Sequence, residues 1–256
     1  MGRKSETKGD FRMSSLSKAI QVLKFLGTPP YEKGVTEISE ELDIVKSGVH
    51  FLLSELVEAG LVVRNPQTRR YHLGPGIYRL GMVYIDARGI AEVAAKVMSS
   101  ISAVTKTSVL IGLIDGENVF LGYKHEVPGS YVYKSSLGQR FALNSGAVGK
   151  LFAAYMDETR LRGSQSKFKY SGGAVTDIEE LIRQTREIRK QGYALTFGEN
   201  VEGYFGLAVP IKDIRDQQMT GALSLVGPQN LYQDGHLQGW LSLLQNGAEV
   251  IANGIR

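Results

Sequence analysis

The sequence predicts an α+β protein in two parts, helical at its start and built on an antiparallel sheet thereafter. Three observations lead there. Up to residue 74 the chain holds three short amphipathic stretches at helical period and then an alternating, arginine-rich hairpin. Later segments, VLIGLIDGENVFLGYKH, YALTF, FGLAVPI and TGALSLV, have strand length and strand composition. Thirty glycines, above the usual share of roughly 7%, suit the tight turns such a sheet requires.

The elements follow in order. MGRKSETKGDFR is charged, has no apolar core for a signal peptide, and reads as a disordered tail over residues 1–12. Glu6 stands where N-terminal lipidation wants Ser or Thr. Ser14 or Ser15 is placed to cap a first helix with Leu16, Ile20, Leu23 and Leu26 on one face, stopped by Gly27-Thr28-Pro29-Pro30. Thr36 is placed to cap a second helix that packs through Ile38 and Leu42. A turn at Asp43-Ile44 leads to a third, Val45 to Glu58, closed by Gly60. Its Val49, Leu52, Leu53, Leu56 and Val57 form one apolar face.

LVVRNPQTRRYHL then turns at Asn65-Pro66-Gln67-Thr68, with Arg64, Arg69 and Arg70 near the tip. Three helices, the last two joined by a tight turn and followed by a basic hairpin, make a winged helix-turn-helix over residues 13–74. Residues 75–88 read as a linker helix, and residues 89–256 as the second domain. In it, Asp115-Gly116 centres a hairpin and Tyr131 to Ser136 reads as a strand. SGAVGKLFAAY reads as a helix, and Asp177 caps another that Gly192 closes. A final helix carries Leu237, Leu241, Leu244, Ala248, Ile251 and Ile255. The whole is an antiparallel sheet flanked by helices.

Composition narrows the chemistry. No cysteine is present, which removes disulfides and thiolate sites and fits a reducing cytoplasm. No apolar run approaches the roughly 18–20 residues of a membrane span. The four histidines, His50, His72, His125 and His236, show no metal-ligand spacing, so neither metal nor other cofactor is expected. NSGAVGKL resembles a phosphate-binding loop but has Asn144 and Leu151 where that loop needs Gly and Ser/Thr. No nucleophile elbow or dinucleotide fingerprint appears, so catalysis is not expected.

The net charge of +4 is modest, and residues 1–88 hold 13 Lys/Arg against 10 Asp/Glu. Patterning says more. The outward face of the third helix holds Lys46, Ser47, His50, Phe51 and Ser54, which are short, hydrogen-bonding or aromatic. A helix entering the major groove needs such a face. Lys46 can reach a phosphate, Ser47, Ser54 and His50 can bond phosphates or bases, and Phe51 can lie on a thymine methyl. Arg64, Arg69 and Arg70 sit where a wing meets the backbone or minor groove. The expected function is therefore sequence-specific binding of double-stranded operator DNA. The alternative is an enzyme or ligand-sensing module whose winged helix docks protein, with Phe51 as anchor.

These residues resemble the IclR family of bacterial transcriptional regulators. SLSKAIQVLKFL, KSGVHFLLSELVEAGLV and RRYHLGPGIYRLG are similar to its DNA-binding half. SLGQRFALNSGAVGKLFAAY, IRKQGYALTFGENVEGYFGLAVPI and GALSLVGP are similar to its effector domain. The resemblance implies a GAF-like effector-binding domain, a homodimer or tetramer, palindromic operators and a small organic effector. It also implies a regulator, more often a repressor. The chain departs from the family's usual recognition helix at Gly48 and Phe51, which bears on the operator sequence.

By the same resemblance the effector pocket draws on Asn144, Ser145, Gly146, Ala147, Thr196, Tyr204, Phe205, Gly206, Ser224 and Val226. A helix start near Ser145 and Gly146 favours an anion, although Gly146 and Ala147 also suit close helix–sheet packing. Thr196 is uncharged and Val226 aliphatic, where relatives that answer to small polar acids carry hydrophilic groups. An aromatic or hydrophobic-tailed acid is expected over a two- or three-carbon oxoacid.

Overall fold

The computed structural model describes residues 13–88, 90–116, 118–126, 135–170 and 172–254. The chain divides into two compact units between Ile85 and Asp86. In the first, α1 (Ser15–Leu26), α2 (Val35–Leu42) and α3 (Lys46–Glu58) precede a hairpin of β1 (Val62–Arg64) and β2 (Tyr71–Leu73), and α4 (Pro75–Arg88) carries the division. Ser14 caps α1, its Oγ accepting the Ser17 N–H at 3.1 Å. The α2 start differs from expectation. Gly34 is the cap residue, and Glu37 reaches back to accept its N–H at 2.6 Å, so Thr36 lies inside the helix. Glutamate three residues into a helix satisfies an orphan amide and complements the dipole.

The core of this unit is Val22, Leu26, Ile38, Ile44, Val49, Leu52, Leu53, Leu56, Val62 and Tyr71. Val57 is 39% exposed, so the α3 face is narrower than its spacing suggests. On α1 the buried side is Val22 and Leu26, while Leu16 is 72% and Ile20 44% exposed. Periodicity places apolar residues on a stripe but does not say how much of the stripe the unit itself covers. On α4, Tyr78, Leu80, Val83 and Tyr84 are also exposed.

The second unit begins with α5 (Ile90–Thr105) and continues through β3 (Ser108–Asp115), β4 (Asn118–His125), β5 (Arg140–Phe141), α6 (Gly146–Tyr155) and α7 (Glu158–Gly163). Then come α8 (Ile178–Gln191), β6 (Ala194–Phe197), β7 (Tyr204–Lys212), β8 (Met219–Pro228) and α9 (Leu237–Gly254). The sheet order is β5-β4-β3-β8-β7-β6, every pair antiparallel. The α+β class and the sheet flanked by helices are as the sequence predicts. The tail at residues 1–12 and Ile255 lie outside the described residues. So do residues 131–134 of the strand expected at Tyr131 to Ser136, and Ser135 and Ser136 are not in a strand.

Side-chain alternation divides the sheet between two cores. Val109, Ile111, Phe205, Leu207, Leu223 and Leu225 meet Met98 and Ile101 of α5 and Trp240, Leu244 and Ile251 of α9. On the opposite face Ala194, Ala208 and Ala222 meet Leu151, Phe152, Leu181 and Ile188 of α6 and α8. Alanines on that face let α6 lie close to the strands. Where β3, β6, β7 and β8 pass beyond the alanine rows, a cavity opens under the start of α6.

Candidate nucleic-acid interface and ligand cavity

The outward face of α3 is as expected: Lys46, Ser47, His50, Phe51 and Ser54 are all exposed, Phe51 to 61%. The turn before it is fixed by Asp43 in the left-handed region and by Ser39, whose Oγ donates to the Ile44 carbonyl at 2.7 Å. No side chain caps α3 and no acid lies in its first turn, so its leading amides stay open to an anion. A Cβ on Gly48 would lie 3.3 Å from Ile44 Cγ2 and 3.5 Å from Val45 Cγ2, so the residue lies close against that turn.

In the wing, the Asn65 carboxamide oxygen accepts the Gln67 and Thr68 amides at 2.9 and 3.2 Å, closing the tip. Arg64 and Arg69 are exposed, Arg64 with its guanidinium 5.7 Å from the Tyr71 ring centre. Arg70 is held differently. It pairs with Glu37 at 2.6 Å and donates to the Glu32 carbonyl at 2.9 Å, tying the wing to α2. The α3 residues and two of the three wing arginines, Arg64 and Arg69, are thus exposed, whereas Arg70 is turned to the Glu37 carboxylate and the Glu32 carbonyl.

That contact makes stability depend on pH. The Gly34 N–H and then the Arg70 guanidinium hold the Glu37 carboxyl below its usual range. A depressed carboxylate contributes stability above its unfolded pKa of about 4.3 and loses it as pH falls through the folded value. Arg70→Ala is expected to lower the melting temperature of this unit slightly near neutrality, with the gap to the native chain closing below about pH 4. Melting curves of both proteins across that range check it, and a gap independent of pH would rule the contact out.

In the second unit the cavity is lined by eight of the ten expected residues: Gly146, Ala147, Thr196, Tyr204, Phe205, Gly206, Ser224 and Val226. Strand register explains the convergence. Thr196, Gly206 and Val226 are successive cross-strand partners, and Leu110 and Ser224 form the next pair. Phe205 borders the space, but its ring belongs to the other face, stacked on Trp240 at 5.4 Å. Asn144 and Ser145 are fully buried beside the cavity, not in its lining. Asn144 binds the backbone of Lys169 and Val175, and Ser145 Oγ donates to Asn200 Oδ1 at 2.8 Å.

Leu110, Phe141, Val148, Glu199, Asn200 and Val201 complete the lining and were not expected. For Leu110 the signal was available, since its strand pairs with that of Ser224. Glu199 had none, because its carboxylate's partners lie 53 and 49 residues away in the chain. Its carboxylate accepts the Gly146 N–H at 2.8 Å and pairs with the buried Lys150 ammonium. Thr196 is 7% exposed, on the strand that faces the cavity. The cavity volume is ≈ 30 Å³, room for about two waters. A benzoate-sized ligand therefore needs the wall to move.

Known proteins resemble this chain along nearly its full length. The model of the bacterial transcriptional regulator IclR C-terminal domain matches residues 82–253, and that of the IclR helix-turn-helix domain matches residues 15–66. The HTH-type transcriptional regulator XynR of Escherichia coli is 25% identical over 246 residues, 95% of this chain and 97% of that protein. The IclR transcriptional regulator of Alicyclobacillus acidocaldarius superposes with a TM-score of 0.81 at 28% identity, covering 95% and 99% of the two chains. An IclR homologue of Microbacterium hydrocarbonoxydans, complexed with 4-hydroxybenzoate, shares the fold at a TM-score of 0.76 and 20% identity over 94% and 98%. Among the described residues no helix is long and apolar enough to cross a membrane, and no cluster of three or more acids and histidines is placed to hold a metal.

Proposed function

Since the chain belongs to the IclR family of bacterial transcriptional regulators, we propose that it represses transcription from a palindromic operator as a homodimer or tetramer. A small, partly apolar acid entering the second unit releases it. As a helix-turn-helix regulator it binds DNA through its first unit. The observation that carries the contact set is the exposed α3 face of Lys46, Ser47, His50, Phe51 and Ser54, together with the exposed Arg64 and Arg69 of the wing. The cation content supports phosphate contacts and the short polar side chains support base contacts. Exposed apolar residues on α1 and α4 support self-association. The reading needs no catalytic step and places the protein in the cytoplasm, with DNA.

The effector class rests on the lining. Leu110, Phe141, Val148 and Val226 offer apolar contact, and Thr196 and Ser224 offer hydroxyls. Such a mixture suits a ring or hydrocarbon tail with one polar end. Gel retardation with DNA upstream of the protein's own gene, at two salt concentrations, tests the DNA reading, because counterion release makes true operator binding steeply salt-dependent. Salt-insensitive or absent shifts would return the winged helix to a protein-docking role. Thermal shift against aromatic acids and against pyruvate and glyoxylate tests the effector class. Stabilisation by the short oxoacids alone would overturn it.

Phe51 is expected to carry sequence choice. Phe51→Arg exchanges an apolar ring for a fork that pairs with guanine, so the preferred base at one position should change. A mismatch at a contacted base pair costs about 1–3 kcal/mol, so selection from random duplexes should return a different consensus. An identical consensus would remove Phe51 from the bases.

A further inference from the structure

The start of α6, where a ligand's acid group is expected, already holds a carboxylate from this chain. Glu199 Oε2 accepts the Gly146 N–H at 2.8 Å, and Oε1 pairs with the Lys150 ammonium. Lys150 is 3% exposed and also donates to Gln184 Oε1 at 2.8 Å. Glu199 belongs to a short segment between Gly198 and Gly203, both at positive φ (69° and 76°), where glycine gives the backbone freedom that other residues lack. With Asn200 and Val201 it forms one wall of the cavity. Thr196, 7% exposed, and the fully buried Ser224 lie elsewhere in the same lining.

We propose that Glu199 is an internal carboxylate that competes with the effector's acid group for the Gly146 N–H and Lys150, and so decides which acids the pocket answers. This rests on the effector reading of the cavity given above. The exchange is balanced in charge: one carboxylate leaves and another arrives, so Lys150 never stands buried and unpaired, which would be costly. The departing segment turns at its two glycines and takes a cavity wall with it, creating the room that ≈ 30 Å³ does not offer. Selectivity follows from the competition. A tethered group acts at an effective concentration of the order of millimolar or more. A ligand that brings only a carboxylate gains little over it, whereas one with a ring or tail adds buried apolar area that Glu199 cannot match.

Glu199→Gln keeps the shape and removes the charge. A native chain binds with its intrinsic affinity reduced by the fraction of molecules in which Glu199 has withdrawn. Titration calorimetry and thermal shift with benzoate, and with benzamide as its uncharged counterpart, are expected to show benzoate binding E199Q at least about tenfold tighter than the native chain. Benzamide needs the same room but cannot pair with Lys150, so it should tighten much less. Equal tightening of both compounds, or benzoate no better on E199Q, would overturn the proposal. Should E199Q not fold, E199D keeps the charge but is one methylene too short to span both partners, and is read in the same way. The effector reading fails separately: tighter benzoate binding to E199Q with operator retention untouched by benzoate would leave the competition standing and remove the regulatory role. Operator release by an acid whose potency is the same in both proteins would leave the effector reading and remove Glu199.

Discussion

Gly149→Ala is expected to destabilise the second unit by about 3 kcal/mol or more, the upper end of what an overpacked core costs. A Cβ at that position would lie on the Ala142 carbonyl oxygen and 2.9 Å from its carbon, with Leu143 Cα at 3.6 Å. These are backbone atoms, so no side chain can turn aside. Every residue of α6 from Gly146 to Ala154 is buried, so the helix has no free side toward which to shift. For a domain of this size the melting temperature should fall by roughly 6–12 °C, at about 2–4 °C per kcal/mol. Gly239→Ala on α9 is the control, because nothing lies within 4 Å of its Cβ. It removes an exposed helical glycine, which costs about 1 kcal/mol against alanine, so its melting point should hold or rise. Calorimetry that finds the two variants equally stable would contradict the close approach of α6 to the Ala142 carbonyl.

The wing should supply affinity with little sequence choice. Arg64→Ala with Arg69→Ala removes up to two phosphate contacts, and the slope of log K against log salt should become shallower by about 0.9 for each. Loss should be similar on operator and on unrelated duplexes, because phosphates carry no sequence. Arg70 is left out of the pair because its guanidinium is held by Glu37 and Glu32. Binding isotherms at four salt concentrations read the slope directly, and an unchanged slope in the double variant would take the wing off the DNA.

How far the sequence carried this differs between the two units for physical reasons. The helices of the first unit were legible because a 3.6-residue repeat, a serine cap and a glycine stop are local signals. What covers a helix is not local, so Leu16 and Ile20 share the predicted apolar face with Leu23 and Leu26 and are nonetheless exposed. Thr36 looked like a cap by residue type, but the Glu37-to-Gly34 hydrogen bond started the helix earlier. In the second unit the pleat separates neighbours that the sequence groups: Tyr204 and Gly206 share a face, and Phe205 between them turns its ring to Trp240. β5 has only two residues, too short for any periodic signal. Glu199 lies furthest from view, because its meaning comes from an amide and an ammonium brought to it by the fold. The phosphate-loop look of NSGAVGKL has a plain origin in the same place, where Gly149 answers to a carbonyl and Lys150 to an acid of the chain itself.

The stack of Phe205 on Trp240 gives the protein an optical gauge. Trp240 is the chain's single tryptophan and is 7% exposed, so indole emission, excited beyond the tyrosine absorption, comes from one dry site. Its ring lies at 18° to that of Phe205, with the Tyr232 ring 6.1 Å and the His236 ring 4.9 Å away. Through the β7 backbone Phe205 is rigidly coupled to Tyr204 and Gly206 on the cavity side, one residue away in either direction. Spreading β7 from α6 is therefore expected to tilt an aromatic pair on the far side of the sheet, so the indole's emission colour should shift with a ligand in a chamber it never touches.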